Sequence, residues 1–438
     1  MQLECVFFMY LLYSALMATG LLLSLPYWML ARRHGRWREG LGERLGRVPV
    51  GLRAESTPAI WVHAVSVGEV LAVSELVKKL SERFPGYRVF VSTTTATGQK
   101  LARKHFGEDS VFYFPLDLPF AIRPYLSALR PRLIVLAETE FWPNFLRLAH
   151  ASGARVAVVN ARISDRSWPG YRRFRPVLQK ILQDVDLFLA QTEEDAARLR
   201  DIGAPADRVQ VSGNLKFDVA PPTPPAIVAN LRSSFQQSGG GPVIVCGSTM
   251  EGEERLLLLA FQNVLASHPM AVMILAPRRP ERFEEVAGLL QQLGILFWRR
   301  SSWSEDDAIA SGVFLVDTIG ELASLYALAD VAFVGGSLVP RGGHNIIEPA
   351  QYGVPIMVGN HTENFRDIIS LFQSHDAVRI VGPAEFPLVL MDLLANQAER
   401  VALGRRGAET LRSQMGATEK TLQALEQLLA KPDRVGRA

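Results

Sequence analysis

The sequence predicts an α/β protein of two Rossmann-like halves, each a parallel sheet wound with helices on both faces. Two observations carry this. Short apolar strand-like runs alternate with amphipathic helix-like runs over most of the chain, the pattern of stacked βα units. The alternation stops once, at Ala220-Pro221-Pro222-Thr223-Pro224-Pro225, where successive prolines favour extended backbone, and then restarts. A chain of 438 residues is long enough for two or three domains, and 48% hydrophobic with 21% charged residues suits large cores rather than disorder. A net charge of +3 gives no argument for a nucleic-acid partner.

The first element is apolar. From Cys5 to Ala31 no residue is charged, and Arg32, Arg33, Arg36 and Arg38 follow at once. Such a run is long enough to span a hydrocarbon core of about 30 Å, and the arginines assign the rest of the chain to the cytoplasmic side. Tyr27 and Trp28 stand where an interfacial aromatic belt would lie. The start lacks a positive n-region, so a retained anchor over 1–31 is expected rather than a cleaved signal peptide. A helix lying in the interface is the alternative.

The first half, 32–219, reads as strands at Ile60–Ala64, Val89–Ser92, Leu133–Ala137, Arg155–Val159, Leu187–Ala190 and Val209–Val211. Helical runs between them include Val70–Arg83, Thr97–Phe106, Asn144–Ala151 and Glu193–Ile202. A hinge is expected at 220–226. The second half, 227–438, reads as strands at Val243–Cys246, Ala271–Ala276, Val313–Val316, Val331–Val334 and Pro355–Val358. Its helices are expected at Glu253–Ser267, Glu281–Leu293, Glu321–Leu328, Asn345–Tyr352 and Asn364–Phe372, with a helical tail from Pro387. Ligands in such sheets bind beyond the carboxyl ends of the strands, so the chemistry is expected there and between the halves.

Residues of that kind do stand at strand ends. Glu69 follows the first strand in His63-Ala64-Val65-Ser66-Val67-Gly68-Glu69, with no G-x-G-x-x-G to suggest a dinucleotide. Its plainer role is to complement a helix N-terminus. Glu138 and Glu140 follow the third strand, as candidates for acid–base or electrostatic work or for helix capping. Lys216 lies in Gly213-Asn214-Leu215-Lys216-Phe217-Asp218, where a point charge suits a leaving phosphate; a solvated loop lysine is the plainer reading.

In the second half, Gly247-Ser248-Thr249 precedes a helix and offers amides to an anion. Arg278 follows a strand in Pro277-Arg278-Arg279-Pro280, positioned for a phosphate or a base edge. The most specific segment is Gly335-Gly336-Ser337-Leu338-Val339-Pro340-Arg341-Gly342-Gly343-His344-Asn345-Ile346-Ile347-Glu348-Pro349. Four glycines and an arginine let backbone amides approach a phosphate. Asn345 and Glu348 have capping-box spacing, and Glu348 suits ribose hydroxyls. The sole D-x-D, Asp184-Val185-Asp186, precedes a strand rather than following one, and no histidine has metal-ligand spacing. No metal is expected. Cys5 and Cys246 suggest neither a disulfide framework nor a metal cluster, and a reducing compartment suits them.

Taken together, HAVSVGE (His63–Glu69), TTTATGQ (Thr93–Gln99), ETEFWPN (Glu138–Asn144), NARIS (Asn160–Ser164), GNLKFD (Gly213–Asp218), GSTMEGEE (Gly247–Glu254), PRRPERF (Pro277–Phe283), DTIGEL (Asp317–Leu322) and the glycine-rich segment resemble the Kdo (3-deoxy-D-manno-oct-2-ulosonic acid) transferase family of lipopolysaccharide synthesis. They follow the family's order from the anchor to about Pro355. The resemblance implies a GT-B fold, CMP-Kdo as donor, a lipid A precursor as acceptor and no cofactor. It implies that Glu69 is the general base, that Glu138 and Lys216 stabilise the transition state, and that Pro277, Arg278, Ile319, Gly320, Glu321, Asn345, Ile346, Ile347 and Glu348 contact CMP. It also implies the inner membrane, cytoplasmic side. Met250 and Arg279 stand where the family often shows His, which puts any role of those two side chains in doubt. Two other classes share these features in part. A GT-B nucleotide-sugar epimerase needs no anchor, and a non-catalytic membrane-anchored binding module needs no carboxylates at strand ends.

Overall fold

The computed structural model describes residues 2–31, 40–52, 57–218, 225–304 and 307–432, without the side chains of 2–7 and 25–31. The chain divides into two compact units, one formed by 1–219 with 414–438 and the other by 220–413. Most of the expected proline hinge at 220–226 lies outside the described residues, as do Arg32, Arg33, Arg36 and Arg38.

The first unit is built on seven strands: β1 (Ala59–His63), β2 (Arg88–Thr93), β3 (Val111–Tyr113), β4 (Pro131–Ala137), β5 (Arg155–Ala161), β6 (Leu187–Ala190) and β7 (Val209–Val211). All pair in parallel, in the order β3-β2-β1-β4-β5-β6-β7. Alternate residues serve opposite faces, as the pleat requires. Trp61, Ile134, Val156 and Phe188 pack on one side with Phe145 and Leu182. Ile60, Val62, Val135 and Ala157 pack on the other with Val73, Leu76 and Leu80. Strands buried on both faces read as continuous apolar runs, which is why the sequence exposed them. The three-residue edge strand β3 is too short to show a period, and the sequence reading missed it.

The helix Ala417–Leu429 covers this second face through Leu422, Leu425 and Leu428. This corrects the expectation that the whole tail belongs with the second half. Its apolar stripe showed that a sheet must cover it, but carried no information about which sheet.

The second unit repeats the plan with β8 (Val243–Thr249), β9 (Val272–Pro277), β10 (Phe297–Arg299), β11 (Gly312–Leu315), β12 (Val331–Val334), β13 (Ile356–Val358) and β14 (Arg379–Ile380). The order is β10-β11-β9-β8-β12-β13-β14, again all parallel. Helices Glu253–Ser267, Phe283–Gln292 and Phe386–Ala395 cover one face, and Ala226–Gln237 packs on the other. The helix expected over Asn345–Tyr352 is shorter, Ile347–Gln351, and Asn345 stands outside it.

Each order reverses once: between β1 and β4 in the first unit, and between β8 and β12 in the second. At such a reversal the connections leave in opposite directions and open a crevice beyond the strand ends. The carboxyl ends of these four strands carry Glu69, Glu138, the Gly252–Glu254 turn and the glycine-rich segment.

The N-terminal apolar run is one helix, Gln2–Ala31. Tyr10 is buried against the first unit, its hydroxyl donating to Asp184 Oδ2 at 3.2 Å. Ser14 and Asn144 share hydrogen bonds, and the Arg147 guanidinium lies over the Tyr10 ring. The opposite side exposes Phe8, Leu11, Leu12, Leu16, Leu22 and Leu23. Among the described residues no helix is long and apolar enough to cross a membrane, so the expected transmembrane anchor is not supported. One side of the helix, with its tyrosine and serine, is committed to protein.

Candidate functional site

In the first unit the backbone turns sharply after β1. Ser66 caps the helix Val67–Arg83, and its side chain accepts from Glu69 N–H at 3.5 Å. The Glu69 carboxylate reaches back to accept from Ser66 Oγ at 2.9 Å and from Val65 N–H at 2.8 Å. This is a capping box in all but one donor, so the plainer reading of Glu69 is present in the structure. It is not the whole account. Glu69 is buried, and burial pushes its carboxyl up to about 7, with the charges of Glu138 and Glu140 adding to the rise. A carboxylate near pH 7 is matched to proton transfer.

After β4, Glu138 takes a left-handed backbone with φ 57°, a strained choice for a residue with a side chain. Its N–H donates to Val159 O at 2.9 Å. Its carboxylate meets Lys216 Nζ at 3.4 Å. Lys216 lies on the short 3-10 turn Leu215–Asp218, which is tied down at its far end by Asp218 accepting from Gly416 N–H at 2.7 Å. Glu140 accepts from Trp142 Nε1 at 2.8 Å, and burial raises its carboxyl. Glu69, Glu138 and Lys216 were singled out separately in the sequence, and the fold collects them at one crevice.

The second unit collects a different set. Arg278 follows β9, and its N–H donates to Thr249 O at 2.9 Å. Its positive charge acts on two neighbours from the glycine-rich segment. Burial and Arg278 together hold His344 down to about 4, so this ring is neutral at physiological pH. Burial raises the Glu348 carboxyl, opposed by its hydrogen bond to Asn345 and by Arg278. Asn345 Oδ1 also accepts from Ile347 N–H at 3.1 Å. Pro277, Arg278, Asn345, Ile346, Ile347 and Glu348 are therefore grouped around the ends of β9 and β12. Ile319, Gly320 and Glu321 lie in the loop after β11, next to β9 in the sheet. Glu321 is held by Arg300 at 2.9 Å and by the Thr318 hydroxyl. Ile319 is 79% exposed. In this loop the Glu321 carboxylate is engaged by protein groups and Ile319 is exposed.

One expectation is corrected. The glycine-rich segment is expected to turn its backbone amides toward a phosphate, but those of Gly336, Ser337 and Leu338 are already engaged within the protein. They donate instead to Glu253, at 2.7, 2.9 and 2.9 Å, and Met250 N–H joins them at 2.9 Å. Glu253 is fully buried, and its carboxyl oxygens shape the segment from within. The sequence signal was the Glu253-Glu254 pair in a first helical turn, which reads equally as dipole compensation. Glu254 itself pairs with Arg282 at 3.0 Å. Gly247 is needed for a different reason: a Cβ there would fall 2.0 Å from the Tyr326 hydroxyl. The D-x-D is structural, with Asp186 accepting from Val156 N–H at 2.9 Å. Among the described residues no group of three or more His, Cys, Asp or Glu is arranged to hold a metal.

The architecture has solved counterparts. A putative UDP-N-acetylglucosamine 2-epimerase from Listeria monocytogenes aligns with 86% of this chain and 98% of its own, at TM-score 0.56 and 13% identity, a likeness of fold alone. Two parallel doubly wound units, with ionisable clusters at their switch points, define a GT-B-like fold. Sequence relationship narrows this class. A family model described as 3-deoxy-D-manno-octulosonic-acid transferase (kdotransferase) matches residues 39–219. The 3-deoxy-D-manno-octulosonic acid transferase of Bordetella pertussis is 38% identical over 433 residues, 95% of this chain and 98% of that one. Its counterpart in Haemophilus influenzae is 34% identical over 412 residues, 92% of this chain and 94% of that one. The chain belongs to the 3-deoxy-D-manno-octulosonic acid (Kdo) transferase family.

Proposed function

We propose that this Kdo transferase uses CMP-Kdo as donor and a lipid A precursor as acceptor, with Glu69 as general base. The observation that carries the mechanism is the buried Glu69 carboxylate, raised to about 7 beside the Glu138–Lys216 pair. The acceptor hydroxyl gives its proton to Glu69 as its oxygen bonds to the anomeric carbon. The bond from that carbon to the CMP phosphate oxygen breaks, and CMP leaves with the electron pair. Attack opposite the leaving group inverts the anomeric centre. Lys216, oriented by Glu138, offsets the negative charge that develops on the leaving phosphate oxygen. Arg278 and the 345–348 segment hold the nucleotide, with the 319–321 backbone beside them.

The reading extends to the membrane. The helix Gln2–Ala31 presents Phe8, Leu11, Leu12, Leu16, Leu22 and Leu23 on the side away from its protein contacts. A helix docked on one side and apolar on the other suits the plane of the interface. This would hold the first unit at the cytoplasmic face of the inner membrane, where a lipid acceptor is reached.

The test is mass spectrometry of a tetraacylated lipid A precursor incubated with CMP-Kdo and the full-length protein. Addition of Kdo with release of CMP is the expected result. CMP release without a mass increase of the lipid would refute the acceptor assignment.

A further inference from the structure

Two consecutive residues of β5 hold the two partners of the Glu138–Lys216 pair. Val159 O accepts the Glu138 N–H at 2.9 Å. The next residue, Asn160, turns into the left-handed region with φ 53°. Its Oδ1 accepts the N–H of Leu215 at 3.0 Å, one residue before Lys216. Its own carbonyl accepts from Gln191 Nε2 at 3.0 Å, which ties the end of β6 to the same point. Asn160 is 1% exposed.

We propose that Asn160 is a positioning residue for the transfer reaction: its side-chain carbonyl sets the 215–218 turn so that the Lys216 ammonium is delivered to Glu138. The inference rests on the roles proposed above for Lys216 and Glu138. Its strength comes from what stability alone would favour at this position. A left-handed conformation favours glycine over any residue with a Cβ. The Asn160 Nδ2 group is buried with no hydrogen-bond partner among the described residues, an unfavourable state for an amide. Both penalties disappear with glycine, and the Leu215 hydrogen bond disappears with them. Strain and an unsatisfied amide kept together beside ionisable groups point to a requirement of the site. The geometry identifies that requirement as the height of the 215–218 turn, because Lys216 N–H is held separately by Asn214 Oδ1 at 3.0 Å and Asp218 anchors the far end. Asn160 ties the start of this turn to the end of β5.

The test uses full-length Asn160→Gly, Asn160→Asp, Lys216→Met and the Asn160→Gly/Lys216→Met double variant. Asn160→Gly should keep its melting temperature, its affinity for CMP and its KM for donor. Its kcat should fall about ten- to hundredfold, the scale of a small misplacement of a reacting group. The Leu215 amide should exchange faster in the same sample. Asn160→Asp, which keeps the acceptor for Leu215, should transfer faster than Asn160→Gly. On the Lys216→Met background the glycine change should add little, because residues acting through one another are not additive. A full additional loss in the double variant overturns the inference, as does a normal kcat or unchanged Leu215 exchange in Asn160→Gly. A normal rate in Lys216→Met is a different failure: it removes the role of Lys216 itself, and the inference goes with it.

Discussion

Lys216 Nζ lies 3.4 Å from Glu138 Oε1, although 78 positions separate the two residues. Glu138 sits at the end of a central strand and Lys216 in the last turn of the first unit before the 219–224 segment. The carboxylate of Glu69 feels the Glu138 charge. How well Lys216 compensates Glu138 therefore helps set the proton affinity of the proposed base.

Replacing Glu69 with Gln keeps its size and removes the proton acceptor. Positioned bases contribute about 10²–10⁴-fold, so kcat should fall by that factor while CMP affinity is unchanged. In the unmodified protein kcat/KM should rise with pH through about 7, because the base must be ionised. A normal rate per folded molecule would leave Glu69 with its capping role alone, and Glu138 would become the next candidate base.

The same residue makes a stability prediction of opposite sign to the usual carboxylate. Burial raises the Glu69 carboxyl from 4.5 to about 7 in the folded state. Between those values the native protein binds more protons than the unfolded chain, so its stability falls as pH rises. The full effect is on the order of 2–4 kcal/mol. Melting curves from pH 4.5 to 8 should show this decline in the wild type and a flatter one in Glu69→Gln. Parallel curves for the two proteins would place the ionisation elsewhere.

Arg278→Ala and Glu348→Ala should each weaken CMP binding. Loss of a charge-assisted hydrogen bond costs about 1.5–3 kcal/mol, roughly ten- to hundredfold in affinity. Calorimetric titration reads this directly, and unchanged affinity in both variants would move the nucleotide away from the β9 and β12 strand ends.

Glu253→Ala should be more damaging to folding than any of these. It leaves four buried amides, of Met250, Gly336, Ser337 and Leu338, without their acceptor. Each buried donor left unsatisfied costs about 1–3 kcal/mol, so the loss is on the order of 10 °C in melting temperature for a unit of this size. A melting temperature within about 2 °C of wild type would show that the segment holds its shape without Glu253.

Deleting residues 1–31 should release much of the protein from membranes and lower transfer to lipid acceptors more than CMP binding. It should also cost some stability, since the footprint of Tyr10 and Ser14 on Asp184 and Asn144 is uncovered. Retention in vesicles after a high-salt wash would assign membrane binding to another surface; the salt is needed because Arg32–Arg38 in the truncated chain can still bind anionic lipid.

The sequence by itself determined the two-unit α/β plan, because strands buried on both faces must be continuous apolar runs. It also pointed to the candidate residues Glu69, Glu138 and Arg278, which stand just beyond such runs, and to Lys216 and Glu348, which lie in the 213–218 and 335–349 segments. Tertiary structure alone decided the rest. That Glu138 meets Lys216, that Asn160 links Leu215 to the sheet, and that Glu253 takes the amides of the glycine-rich segment all depend on strand order, which local periodicity does not encode. The same limit applies to the helices Gln2–Ala31 and Ala417–Leu429. An apolar stripe requires a partner surface, but burial is non-directional, and only the packed chain selects which surface it meets.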